Sequence, residues 1–257
     1  YPAQAEFAAA SVGAPIRKQF MTPLVELVGI HKHFPGVYAL KGVDFDVRAG
    51  EVHALVGENG AGKSTMIKVA AGVHDFEEGS YRIEGQAVDI RHPRQALDEG
   101  IAVVYQELEL VLSLSVAENL FFGRLPHDRG GRVRWGELYD ESKKLLAEVG
   151  LELDPKTKVG HLGVAAQQLV EIARALSFAA KVIIMDEPTS ALSPREIEKL
   201  FVLIARLKAR GVGLVYVSHK LDEIIALADR VTVLRDGQRV ACKETVDLDE
   251  DRLIELM

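Results

Sequence analysis

Short apolar runs punctuated by glycine and polar residues recur in the first and the last part of the chain. Runs of about four to eight residues rich in Val, Ile and Leu, bounded by turn residues, are typical of buried strands. This pattern predicts strands over Leu24–Ile30, Val43–Val47, Val52–Val56, Tyr81–Glu84, Ile101–Val104, Val182–Met185, Gly213–Val217, Val231–Leu234 and Arg239–Thr245.

Apolar residues three to four positions apart predict helices in the middle and at the end of the chain. Two capping boxes support them, Ser115 with Glu118 and Ser193 with Glu196. Strands are scarce between residues 106 and 180, so the pattern indicates a parallel α/β core interrupted by a helical insertion. Helices are predicted over Met66–Ala71, Glu137–Val149, Pro194–Lys208, Leu221–Ala228 and Asp251–Met257.

Composition narrows the class of protein. At 257 residues the chain is long enough for one large α/β domain with a subdomain. Its net charge of −7 argues against a nucleic-acid partner. The single cysteine, Cys242, excludes an intrachain disulfide and suits a reducing cytoplasm. No apolar run reaches the roughly 18 to 20 residues of a membrane span, and residues 1–22 are predicted to be a flexible tail rather than a signal peptide.

A phosphate-binding loop follows the third predicted strand. The pattern G-x-x-x-x-G-K-[ST] lies directly after Val52–Val56 and before the predicted helix Met66–Ala71. In such a loop glycines turn backbone N–H groups toward a polyphosphate, the lysine adds a full charge, and the serine is placed to hold Mg²⁺. The nucleotide-binding residues are therefore predicted to be Gly57, Glu58, Asn59, Gly60, Ala61, Gly62, Lys63, Ser64 and Thr65.

Two acids, Asp186 and Glu187, follow the buried strand Val182–Met185. Ligands of an open α/β sheet lie beyond the carboxyl ends of its strands, so Asp186 is predicted to reach the Mg²⁺ on Ser64. Adjacent acids also occur as ordinary turn residues, but the upstream phosphate loop favours a site. Because a free glutamate has a pKa of about 4.3, Glu187 is predicted to orient the attacking water and take its proton late.

The order of further features resembles the ATP-binding cassette (ABC) ATPases that drive membrane transporters. The resemblance implies that Phe34 stacks on adenine, that Gln106 senses Mg²⁺ and the attacking water, and that His219 contacts the γ-phosphate. It also implies the P-loop NTPase fold, with a RecA-like core, an antiparallel β subdomain and a helical ABC-specific subdomain. In this scheme residues 23–257 form the nucleotide-binding domain, with the core at about 23–106 and 180–257 and the helical subdomain at about 107–179.

Within that family the chain is most similar to monosaccharide importers of the ribose type, through phrases such as Phe34-Pro35-Gly36-Val37 and Tyr105-Gln106-Glu107-Leu108. In that group one polypeptide carries two cassettes, and this chain resembles the amino-terminal one. The resemblance implies ATP and Mg²⁺ as ligands. It also implies a second cassette, transmembrane permease subunits and, indirectly, a solute-binding protein as partners. The expected location is cytoplasmic, peripheral on the inner face of the cell membrane.

The chain departs from the family at two loops. Where the family has the signature Leu-Ser-Gly-Gly-Gln, which reaches the other cassette's γ-phosphate, this chain has Leu162-Gly163-Val164-Ala165-Ala166. Where many cassettes end a loop in Asp, it has Ser190-Ala191-Leu192-Ser193. The resemblance therefore implies one good composite site, formed by this phosphate loop and another cassette's signature.

Other readings remain open from the sequence alone. A soluble cassette protein acting on DNA or ribosomes usually carries long coiled coils or basic surfaces, and neither is visible here. A regulatory nucleotide-binding module with little turnover is favoured by the altered signature and opposed by Glu187 and His219. Cassettes do not contact the solute, so a nucleoside or another small solute remains an alternative to a sugar.

Overall fold

The computed structural model describes residues 22–257; the tail predicted over residues 1–22 therefore lies outside the described residues except for its last position. The strands are β1 Val25–Phe34, β2 Val37–Val47, β3 Val52–Val56, β4 Glu78–Ile83, β5 Gln86–Ala87, β6 Ile101–Val104, β7 Val182–Asp186, β8 Gly213–Val217, β9 Arg230–Arg235 and β10 Gln238–Glu244. The helices are α1 Lys63–Ala70, α2 Pro93–Asp98, α3 Val116–Leu120, α4 Trp135–Glu148, α5 Val164–Leu176, α6 Pro194–Ala209, α7 Leu221–Leu227 and α8 Glu250–Leu256.

The strands form two sheets of different construction. One is antiparallel, in the order β2-β1-β4-β5. The other has the order β10-β9-β3-β8-β7-β6, and its strands are parallel except for β10 at the edge. The predicted α/β class and the predicted antiparallel sheet are both confirmed.

The parallel sheet is covered on both faces, which explains its uninterrupted apolar runs. Side chains alternate across β7, so Val182 and Ile184 pack with α1 and the antiparallel sheet. Ile183 and Met185 pack on the opposite face with α3, α5 and α6. Every residue of Val52–Val56 is buried. The strand that leads into the phosphate loop is therefore held from both sides.

Helices fill the chain between β6 and β7, as the sequence predicts. The capping box at α3 is formed: the Ser115 backbone N–H donates to Glu118 at 2.8 Å, and Glu118 returns its own N–H to the Ser115 hydroxyl at 3.2 Å. The box of Ser193 and Glu196 likewise opens α6. The boundaries of a separate helical subdomain, about 107–179, stay a prediction.

The first half of β2 is longer than the sequence pattern indicates. The strand begins at Val37 rather than Val43, because residues 37–42 pair with β1 in a hairpin. In the sequence, Lys41 and Gly42 separate the short apolar run of residues 37–40 from the predicted strand. The short elements α2 and β5 were also not predicted, since six and two residues are too few to show a period.

A buried polar junction joins the two sheets beside β3. Arg230 of β9 donates to the Asp46 carboxylate of β2 at 2.6 Å and to Glu51 at 2.9 Å. His53 of β3 is fully buried. Its Nδ1 donates to the Asp46 carbonyl at 2.6 Å, and its Nε2 accepts from the Thr232 hydroxyl at 2.8 Å. Burial beside the Arg230 guanidinium keeps the imidazole neutral. Its single proton is therefore on Nδ1, which faces a carbonyl, and Nε2 is left as an acceptor.

The junction predicts a dependence of stability on pH. Burial, followed by the charge of Arg230, lowers the pKa of His53 to about 3. In the unfolded chain this histidine has a pKa of about 6.5, so between about pH 6.5 and pH 3 it binds a proton in the unfolded state but not in the folded state. The stability that this residue contributes is therefore complete above about pH 6.5 and is lost as the pH falls toward 3.

We expect His53 protonation to cost the parent chain about 2 kcal/mol of unfolding free energy between pH 7 and pH 5. His53→Gln should lack this loss, although it is less stable than the parent at pH 7. Urea unfolding at both pH values measures it, with exposed His161→Gln as the matched control that keeps the parental slope. An unchanged slope in His53→Gln would contradict the assignment.

Candidate functional site

The loop between β3 and α1 is shaped by its glycines. Gly57 has φ of 148°, and a Cβ atom there would lie 2.2 Å from the carbonyl oxygen of Leu234. No other residue fits that approach. Gly62, in a left-handed conformation, is the N-cap of α1, and no side chain caps the helix. The first-turn N–H groups of α1 therefore remain donors for an anion.

Lys63 crosses this loop. Its amine donates to the carbonyls of Gly57 at 2.6 Å and Glu58 at 3.1 Å. Burial lowers the pKa of Lys63, while the charges of Glu187 and Asp186 act in the opposite direction. The ammonium thus lies where the peptide loop curls around it, facing two acids.

The two acids lie at the end of β7: Asp186 is its last residue and Glu187 follows it. Burial raises the pKa of Asp186, and the neighbouring charge of Glu187 adds to this effect, while Lys63 opposes it. Glu187 has a left-handed φ of 47°, a conformation that costs a non-glycine residue about 1–3 kcal/mol and is concentrated at functional sites. Its N–H continues the sheet by donating to the Val217 carbonyl at 2.8 Å.

Glu187 is contacted from both sides. The Gln106 amide, two residues beyond β6, donates to one carboxylate oxygen at 3.2 Å. His219, two residues beyond β8, places Nδ1 3.2 Å from the other oxygen. The three residues predicted to be catalytic thus come from the ends of three neighbouring strands and meet at one carboxylate.

These groups border a cleft of about 750 Å³. Phe34, at the end of β1, lines it; its ring meets His74 edge-on at 5.2 Å, and the Lys32 amine lies 5.5 Å from its centre. Of the predicted site residues, the cleft is lined by Phe34, Asn59, Gly60, Gly62, Lys63, Ser64, Thr65, Gln106, Asp186 and Glu187. Gly57, Glu58, Ala61 and His219 lie next to this lining rather than in it.

The ABC transporter family model matches residues 40–190, more than half of the chain and the part that runs from β2 to the acids. The chain belongs to the ABC transporter family.

Curated relatives of this cassette carry import names. An import ATP-binding protein of Burkholderia lata, named for ribose, galactose and methyl galactoside, is 53% identical over 236 residues, 91% of this chain and 46% of that protein. The galactose/methyl galactoside import ATP-binding protein MglA of Salmonella typhimurium is 46% identical, with the same two coverages. The ribose import ATP-binding protein RbsA 1 of Rubrobacter xylanophilus is 48% identical, covering 92% and 47%. The chain spans about half the length of these relatives.

Solved cassettes share the fold. A nucleotide-free ATP-binding cassette from an ABC transporter superposes with a TM-score of 0.76 at 27% identity, covering 91% of this chain and 94% of that one. A cassette solved in its ADP conformation gives 0.77 at 28% identity, covering 91% and 98%. The predicted P-loop NTPase fold is confirmed. None of the helices formed by residues 22–257 combines the length and the hydropathy of a membrane span.

Several cleft residues of the cassette were not predicted. Tyr38 and Lys41 lie in the first half of β2, outside the predicted strand Val43–Val47. Asp236 lies in the turn between β9 and β10. Asp-Gly between two strands is a hairpin signal, but no local signal places that turn at the loop, where the Gly237 N–H donates to the Ala61 carbonyl at 3.1 Å.

The donor set of the cassette fits Mg²⁺. Ser64, Asp186 and Gln106 offer a hydroxyl, a carboxylate and an amide oxygen on one cleft, the hard oxygen ligands that Mg²⁺ takes together with substrate phosphates. Within residues 22–257 no group of three His, Cys, Asp or Glu side chains could hold a metal ion. These residues therefore suit a Mg²⁺ ion that takes part of its oxygen ligands from a bound phosphate.

The altered signature of the cassette forms the start of α5. Gly163 is the N-cap, and no side-chain oxygen caps the helix, where a serine would supply one. The Gln167 amide is turned back, donating to the carbonyls of Leu162 at 3.0 Å and Val159 at 3.2 Å. This loop therefore presents backbone donors but no hydroxyl at Gly163.

We expect Gly57→Ala to destabilise the cassette by about 1–3 kcal/mol more than Gly60→Ala, because its new methyl group overlaps the Leu234 carbonyl. Gly60→Ala is the matched control, since its Cβ meets nothing within 4 Å and only the left-handed backbone costs about 1–2 kcal/mol. Urea unfolding of both variants measures the difference. Equal losses would contradict the close approach of loop and β9.

Proposed function

We propose that this cassette binds ATP with Mg²⁺ and hydrolyses it to drive an ABC importer for a monosaccharide. The observation that carries the proposal is the meeting of Gln106 and His219 on the Glu187 carboxylate beside the phosphate loop. The import names of the relatives support the transport role and the sugar.

In the proposed complex the triphosphate lies over residues 57–65. Uncapped N–H groups of the first turn of α1 and the Lys63 ammonium face its negative charge. An incoming phosphate replaces the loop carbonyls that Lys63 now contacts. Phe34 offers the apolar ring on which the adenine stacks.

The reaction divides among the three strand-end residues. Glu187 orients the attacking water and accepts its proton late, Gln106 holds that water and the metal, and His219 contacts the γ-phosphate. Bound Mg²⁺, held by Ser64, Gln106 and Asp186, would neutralise phosphate charge. Most of the acceleration then comes from positioning, which the rigid ends of β6, β7 and β8 provide.

The proposed partner across the cleft is a second cassette. A related cassette has been solved as a dimer in a post-hydrolysis state bound to ADP and phosphate, at 26% identity and a TM-score of 0.73. The good site would combine this chain's phosphate loop with the partner's signature. Because the Leu162–Ala166 loop lacks the serine hydroxyl, it would face the weaker site.

The proposed permease contact is on the helical side. A groove of about 400 Å³ opens between β6, α2, α3 and α5. Its lining includes Val73 and Phe122, which are exposed apolar side chains, and such surfaces suit a partner. This contact would place the cassette on the inner face of the membrane, with a solute-binding protein as an indirect partner and no role for nucleic acid.

Two alternatives are kept. The first is a nucleoside or another small solute in place of the sugar, since none of the roles proposed for the residues of this cassette depends on the solute. Co-purification with the permease and its binding protein would identify the solute. A regulatory cassette with little turnover is favoured by the signature loop. ATPase activity in the assembled transporter would rule out the regulatory role. ATP binding without turnover in the assembled transporter would favour that role.

We expect Lys63→Ala to weaken ATP binding by about 10- to 150-fold, because a hydrogen bond between charged groups contributes about 1.5–3 kcal/mol. Calorimetric titration measures it. Lys68→Ala is the matched control, since this exposed lysine lies on the same helix and does not line the cleft. ATP affinity of Lys63→Ala within twofold of the parent would overturn the assignment of the loop.

We expect the chain in isolation to bind ATP and hydrolyse it poorly, because only its own altered signature is available in trans. Replacing Gly163, Val164, Ala165 and Ala166 by Ser, Gly, Gly and Gln should raise the rate at least about tenfold at concentrations that permit dimers. Phosphate release at several protein concentrations measures it.

Adding Lys63→Ala to the repaired chain is the control for this experiment, and it should abolish the gain. Parental turnover as fast as that of a complete transporter, or a repaired chain that dimerises on ATP without gaining rate, would contradict the role given to the signature loop.

A further inference from the structure

A buried carboxylate lies outside the cleft, behind the pair of Glu187 and His219. Glu223 of α7 is only 5% exposed and does not line the cleft. One of its oxygens accepts hydrogen bonds from Tyr216 at 2.7 Å, from Thr189 at 2.8 Å and from Ser218 at 3.4 Å. The other accepts from the Lys220 amine at 3.0 Å.

These donors belong to the two backbone segments that carry the proposed catalytic pair. Thr189 is two residues beyond Glu187. Ser218 and Lys220 flank His219 on either side. The two segments also touch directly, because the Lys220 amine lies 3.3 Å from the Thr189 hydroxyl. Glu223 therefore fastens the segment after β7 to the segment after β8.

The network is well satisfied and therefore rigid. Burial alone would raise the pKa of Glu223, but the hydrogen bonds from Tyr216, Thr189 and Lys220 outweigh it and hold that pKa below its usual value. A buried charged network in which every group has a hydrogen-bond partner favours a single geometry, whereas a buried group left without a partner costs free energy. The side chain of His219 is 65% exposed, so packing on the ring itself does little to hold it.

We propose that Glu223 is a positioning residue that holds His219 against Glu187 by bracing the backbone on both sides of the histidine. This inference rests on the proposed function, since Glu223 acts on hydrolysis only through the catalytic roles proposed for His219 and Glu187. It predicts that loss of the brace slows hydrolysis through His219 while ATP binding, carried by residues 57–65, is kept.

The test uses the assembled transporter. Glu223→Gln leaves one acceptor oxygen in place of two, and kcat should fall about tenfold while the ATP dissociation constant stays within twofold. Tyr216→Phe, which removes one donor and keeps the ring, should lower kcat in the same direction by about two- to threefold. The Tyr216→Phe variant tests the inference even if Glu223→Gln does not fold.

A double-mutant cycle separates positioning from general structural damage. In a His219→Ala background, Glu223→Gln should change the single-turnover rate by less than twofold, because the group it acts through is gone. A full tenfold loss in that background, or parental kcat in Glu223→Gln, overturns the inference. Near-parental turnover of both Glu187→Gln and His219→Ala would instead overturn the proposed function, and this inference with it.

Discussion

The parallel pairing of β3, β8, β7 and β6 is the constraint on which the site depends. Parallel strands end at the same edge of a sheet, so the residues that follow them meet without any long loop to bring them together. Lys63, Gln106, Glu187 and His219 all follow such an end. The helices and the second sheet matter to the site because they bury these strands on both faces and so fix where the ends lie.

The charged groups at that edge of the sheet are not fully compensated within the chain, as expected of groups that bind a charged ligand. Burial disfavours the charged forms of both Lys63 and Asp186, and only partial compensation comes from each other. A polyphosphate would satisfy the lysine and the open first turn of α1, and a divalent cation would satisfy the aspartate. The buried guanidinium of Arg230, by contrast, already forms ion pairs with Asp46 and Glu51 within the chain.

Features with local signals could be predicted from the sequence. The phosphate loop, the acids after β7 and the capping boxes depend on residues a few positions apart, and the strands of the parallel sheet show as continuous apolar runs because both faces are covered. Tyr38, Lys41, Asp236 and Glu223 could not be found this way. Their places depend on contacts between distant segments, such as the hairpin of β1 with β2 or Glu223 with Thr189, which no local pattern encodes.

The central claim is that this edge of the sheet recognises the terminal phosphates of a nucleotide. Titrating the chain with AMP, ADP and ATP in the presence of Mg²⁺ tests it most directly, because these ligands share the base and sugar and differ only in the groups placed over residues 57–65. Affinity should rise at least about tenfold from AMP to ATP, as expected for added charge-assisted contacts. AMP binding as tightly as ATP would contradict the account.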